Sequence, residues 1–111
     1  MSPVSIMAAA YCEAANWADD VIIDAAFEEH AHNACSDLFV AFPGLCLGFD
    51  DETLEQCGHD LWLTRQGHGA GFWDRSSDTY GNAENIQKLT EYAAKAGEFY
   101  DFEVDSTISY N

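Results

Sequence analysis

Read from the N-terminus, the spacing of apolar side chains sets the first elements. Ser2 followed by Pro3 is a cap and first-turn pair, and Val4, Met7, Ala8, Tyr11, Ala14 and Ala15 then recur three and four apart, which predicts a helix over about 3–17. Asp19 and Asp20 interrupt it. A second helix is expected from there or from Asp24, carrying Ala26, Phe27, His30, Ala34, Leu38, Phe39 and Phe42 along one face until Pro43 and Gly44 stop it. Asp50 or Asp51 gives the next capping signal, with Glu52 and Glu55 behind it and Gly58 at the end, so a short helix is expected over about 51–57. The period then changes. Leu61 and Leu63 alternate with Trp62 and Thr64, Phe72 and Trp73 open a second β-favouring run, and Gly67, Gly69 and Gly71 lie between them, so 59–75 reads as a β-hairpin around which the rest is organised. A polar, turn-rich loop over 76–81 leads to a helix over 82–96 with Ile86, Leu89, Tyr92, Ala93 and Ala96 facing the core and Gly97 just beyond its end. Finally, Tyr100, Phe102 and Val104 alternate with Asp101, Glu103 and Asp105, a half-exposed strand. The sum is an α+β fold in which N-terminal helices precede a β-hairpin, a helix and a further strand that form a small antiparallel sheet.

At 111 residues the chain is expected to be a single domain over 1–111, and its 48% hydrophobic content closes the low-hydrophobicity route to disorder. Charge changes the picture more than length does. The formal net charge is -16, and residues 1–64 contain no lysine or arginine at all, so most carboxylates there lack a local partner. Such a surface repels nucleic acid and anionic membrane and attracts basic partners at rates that fall as salt rises. A domain of this size is roughly 34 Å across, a length of duplex that carries about 20 phosphate charges, close to the carboxylate count. That match allows the acids to imitate a nucleic acid, and it equally allows them to serve only solubility.

Cys12, Cys35, Cys46 and Cys57 are expected to be reduced, small buried hydrophobes in a cytoplasmic protein; the N-terminus lacks the pattern of a signal peptide and no apolar run approaches a membrane span. His59, Asp60, His68 and Asp74 gather on or beside the hairpin, but no metal-ligand spacing links them and no cofactor is expected. Neither Ser76 nor Cys57 has a base placed beside it by the sequence, so the chain is expected not to be an enzyme. The glycines of 67–71 lack the lysine and the strand-then-helix context of a phosphate loop and fit a turn better. Arg65 and Arg75 are expected to pair with Asp60 and Asp74 across the hairpin base. Trp62, Phe72 and Trp73 read mainly as core; adjacent Phe72 and Trp73 point to opposite faces, which leaves one of them as a candidate interface anchor.

The stretch HDLWLTRQGHGAGFWDR over 59–75 closely resembles the signature HDFWLTRNGHGAGFWDR of small, functionally unassigned bacteriophage and prophage proteins. KLTE and AAK in the following helix resemble that family's KLTEAAK helix, and ACSDLF over 34–39 resembles its DC..F helix. The likeness covers roughly 34–104 and departs at Asp105, Ser106 and Thr107, where the family has a Gly-Asp-Asp-Gly turn. It implies a phage context and assigns no activity.

Together these readings lead to the expectation of a phage-encoded acidic anti-defence protein that blocks a basic host nucleic-acid-binding machine, such as a CRISPR effector, a restriction enzyme or a repair glycosylase. Asp19, Asp20, Asp24, Glu28, Glu29, Asp50, Asp51, Glu52 and Glu55, with Trp73, are the expected partner-binding residues. The alternative is a non-catalytic interaction or structural module whose acidity serves only solubility.

Overall fold

The computed structural model describes residues 2–98, and every regular element among them is helical. Ser2 accepts a hydrogen bond from the Ser5 amide and caps α1 (Pro3–Asp19), with Pro3 in the first turn where its missing amide costs nothing. The helix stops because Asp20 turns left-handed, at φ 57° and ψ 29°, and its own amide and that of Val21 bond back to the carbonyls of Asn16 and Ala15. Asp24 caps α2 (Ala25–Ala41) through the Phe27 amide; beyond Phe42, Pro43 opens a further single turn, α3 (Pro43–Cys46), rather than ending helical structure. Asp50 caps α4 (Asp51–Arg65), a 3₁₀ turn covers Phe72–Asp74, and Asn82 caps α5 (Ala83–Ala96).

The expected α+β fold is therefore overturned: there is no sheet among the described residues, and the segment read as a hairpin is the second half of α4 followed by a loop. Gly58 does not end the helix. It lies inside α4 and faces α1, where a β-carbon would drive into the Met7 carbonyl and crowd Ala10 at 3.1 Å, so its lack of a side chain lets the two helices close on each other. Leu61, Trp62 and Leu63 are all buried, so Leu61–Trp62–Leu63 alternates in residue type without alternating in environment. The glycines beyond Arg65 form an irregular loop, in which Gly71, at φ 152°, presses against Thr64 while the Thr64 hydroxyl accepts the Phe72 amide at 3.0 Å. The strand expected at 99–105 lies outside the described residues.

Contacts run in the same order along α1 and α4: Gly58 meets Met7 and Ala10, His59 meets Glu13, and Trp62 meets Asp19. The two helices thus lie side by side in the same direction, which requires the intervening chain to travel back, and α2 does so. Between these helices sits the core. Trp62, fully buried, meets Tyr11 edge-on at 5.4 Å and Phe27 at 5.8 Å, geometry favoured by the ring quadrupoles. Burying an indole of roughly 200 Å² is worth about 5 kcal/mol before entropy. A second aromatic group, Phe72, Tyr80 and Phe49, seals the loop over α4.

Candidate functional site

Two polar centres tie the 66–82 loop to the helices. The first is Asp60, the buried carboxylate of α4, with no exposed surface. Arg75 grips it from two sides, donating from Nε to Oδ2 at 3.0 Å and from Nη2 to Oδ1 at 2.7 Å, while the Tyr80 hydroxyl donates to Oδ2 at 2.5 Å and the Gln56 amide to Oδ1 at 3.1 Å. These hydrogen bonds offset the large desolvation cost of a buried charge. The hydrogen bonds to Asp60 hold Arg75 above its ordinary value, and burial, with Cys57 and Asp60 adding to it, pushes the Tyr80 phenol far up, so both remain donors at neutral pH. The expected pairing of Arg65 and Arg75 with Asp60 and Asp74 is met in part, by Arg75 with Asp60, and it joins a loop to a helix instead of two strands. Arg75 takes Asp60, tying the 66–82 loop to α4, and Arg65 donates from Nε to the Gly97 carbonyl at 2.8 Å and from Nη1 to the Tyr11 hydroxyl at 3.1 Å.

The second centre is Asp19, at the end of α1. One oxygen, Oδ2, accepts from the Trp62 indole at 2.7 Å and lies 2.8 Å from His68 Nε2. A residue chosen as a free partner-binding acid thus anchors the core tryptophan and the loop. Asp20 and Asp24 act as helix caps, as does Asp50, which accepts the Thr53 amide at 2.8 Å; hydrogen bonding from the Thr53 side chain and then its amide holds its carboxyl below the usual range. Glu28 and Glu29 lie exposed on α2, and Asp51, Glu52 and Glu55 lie exposed on α4. Phe72 is buried and Trp73 is 52% exposed, the division expected of adjacent aromatic residues, made here by a 3₁₀ turn instead of a strand. His59 and His68 come to one groove, and no group of three metal-ligating side chains forms among the described residues.

What brings these pieces together is a channel along α1 and α4. At one end a groove of about 550 Å³ has an aliphatic floor of Ile6, Ala9 and Ala10 and acidic walls of Glu13, Glu52 and Glu55. Gln56 and His59 continue it into a second groove of about 740 Å³, bordered by Trp17, Ala18, Leu63, His68 and Arg75. His59 Nε2 lies 2.8 Å from Glu13 Oε1 and fixes that carboxylate against the channel wall. Sequence reading passed over Glu13 and Trp17. Their signal was present in the helical spacing: they are one turn apart on α1, as are Glu55 and His59 on α4, once α4 is carried past Gly58.

None of the four cations relieves the acidic end. Arg65 bonds to the Gly97 carbonyl and the Tyr11 hydroxyl, Arg75 is held by Asp60 at the border of the second groove, Lys88 pairs with Glu84 on α5, and Lys95 sits in the last turn of α5. No protein-family model, curated protein or solved structure matches the chain.

Proposed function

We propose that the chain is an acidic, non-enzymatic protein of phage or prophage origin that blocks a basic nucleic-acid-binding protein of the host cytoplasm by occupying the channel meant for phosphates. The observation that carries this reading is the placement of charge: residues 1–64 have no lysine or arginine, Arg65 and Arg75 are held by hydrogen bonds within the fold, and the acidic groove of Glu13, Glu52 and Glu55 has no lysine or arginine in its lining. The long axis, 40 Å, matches a stretch of duplex bearing about 24 phosphates. A CRISPR effector, a restriction enzyme or a repair glycosylase would present the complementary lysine- and arginine-lined surface. No helix among the described residues is long and apolar enough to cross a membrane.

A second reading, an interaction module whose acidity serves only solubility, is favoured by one observation: Trp17 and Ile22 are 76% and 81% exposed, large apolar surfaces of the kind that anchor apolar interfaces. Affinity capture from host lysate at low salt, repeated at high salt, separates the two. Retention of a basic nucleic-acid-binding protein that is lost as salt rises, and that duplex DNA displaces, supports the inhibitor. A partner held equally well at high salt supports the module.

A further inference from the structure

We propose that the α1–α4 channel is the docking site for a lysine- or arginine-bearing polypeptide segment of the partner, one cationic side chain entering among Glu13, Glu52 and Glu55 and another lying on the face of Trp17. This rests on the acidic-inhibitor reading and names the face and the chemistry through which it acts.

Shape selects the ligand class first. The channel follows two helices running in the same direction, and from Glu52 to Leu63 it extends about 17 Å at the helical rise, room for about five residues of extended chain. Its aliphatic floor accommodates the methylene stem of a long side chain while the walls offer carboxylates to the charged head, the arrangement that lysine and arginine require. A phosphate or a nucleic acid strand is repelled from the same walls. Glu13 is already oriented by His59, so less side-chain freedom is lost when a guanidinium or ammonium arrives.

Trp17 provides the independent half of the argument. A side chain of this size left 76% exposed beside a channel is poorly explained by solubility, and its ring face, one helical turn from Glu13, can receive a cation. It stands one helical turn from Glu13, about 6 Å, which is the separation of alternate side chains on an extended strand. Arg75 borders the same end. Asp60 occupies its Nε and Nη2, which leaves Nη1 to donate to a main-chain carbonyl of the docked segment. The three features together fit a segment with cationic residues at every second position.

The test uses a ten-residue capped peptide alternating arginine and alanine, with a glutamine-for-arginine peptide as control, titrated at low salt into the isotope-labelled protein. Amide and indole shifts on the wild-type chain should concentrate at Glu13, Trp17, Glu52, Glu55 and His59. Two triple variants with the same change in charge are compared: Glu13→Gln/Glu52→Gln/Glu55→Gln in the channel, and Glu28→Gln/Glu29→Gln/Asp37→Asn on α2. The channel triple should weaken the peptide roughly tenfold and the α2 triple less than about twofold, with Trp17→Ala costing about threefold to fivefold. Equal weakening by the two triples, or shifts spread over the whole acidic surface, overturns the channel and leaves the acidic-partner reading standing. Failure of the arginine peptide to bind the wild-type chain better than the glutamine peptide overturns both. Should the channel triple not fold, the wild-type shift map and Trp17→Ala decide.

Discussion

The two sides of α4 carry the same chemical group in opposite states. On the side facing the 66–82 loop, Asp60 has no exposure and its oxygens are saturated by Arg75, Tyr80 and Gln56. On the channel side, Glu52 and Glu55 stand in solvent with no lysine or arginine among the residues lining their groove. A buried carboxylate is tolerated only when its partners are built around it, whereas an unanswered one persists only where water, or a partner, does the answering. The contrast separates the acids that make the fold from those available to do something else, and it shows why a count of twenty carboxylates overstates the functional set.

The contrast breaks first at Asp60. Asp60→Ala leaves the guanidinium of Arg75 and the buried Tyr80 hydroxyl without their acceptor and should cost about 4 to 5 kcal/mol in urea denaturation. Glu55→Gln should change stability by under about 0.5 kcal/mol, and comparable losses at the two sites would abolish the distinction.

The tryptophans repeat it in apolar terms. Trp62→Ala opens a cavity between Tyr11 and Phe27, frees Asp19 from its indole donor and should cost about 4 kcal/mol. Trp17→Ala should cost almost nothing in the same measurement. A large loss at Trp17 would make it a packing residue and remove it from the channel argument.

Alkaline titration sharpens the comparison because only the buried side responds. Burial pushes the Cys46 thiol up to about 11 from an ordinary 9.0, so the folded chain keeps a proton that the unfolded chain gives up. A raised value means stability that is complete below pH 9.0 and is lost as pH rises toward about 11, on the order of 2 kcal/mol for this thiol. Burial raises Cys35, Cys57, Tyr11 and Tyr80 further and extends the loss. The melting temperature should therefore fall steeply above pH 9.0, and Cys46→Ala should flatten the first part of that fall; an unchanged profile in the variant would assign the slope elsewhere.

The smallest effect is expected at Asp20, which holds the left-handed cap of α1 without being glycine. Asp20→Gly should raise stability by about 0.5 to 1 kcal/mol, since glycine enters that region without steric cost. If the variant also keeps full affinity for the partner, Asp20 is a cap only and leaves the functional acids.

Helices with one dry face were legible in the sequence. α1, α2 and α5 begin and end within about two residues of their apolar period and caps, because exposed and buried positions alternate along them at 3.6 residues. α4 defeated the same method from Gly58 on. Asp60, Leu61, Trp62 and Leu63 are four consecutive buried residues, so no amphipathic period survives, and local alternation of leucine with tryptophan imitated a strand. Gly58 was read as a stop when its absent side chain is a helix-crossing contact; Tyr80 lies in the turn-rich loop as expected, but its full burial against Phe49 and Phe72 had no signal in a polar segment. The acids of the channel were partly legible: Glu52 and Glu55 stood out by charge, but Glu13 and Trp17 acquire meaning only once α1 and α4 are known to lie together.

The parallel seating of α1 against α4 has a consequence for biosynthesis. The contacts that cover α1 join residues about 45 apart, as His59 and Glu13 do, so the helix leaves the ribosome roughly 40 residues before its partner does. At common elongation rates that is an interval of about 2 to 8 seconds in which the Met7, Tyr11 and Ala14 stripe has at most α2 to cover it. Over the whole of that interval the emerged chain bears only negative formal charge. Mutual repulsion between nascent copies on one polysome then guards the uncovered stripe against association until Gly58 arrives and α4 closes over it.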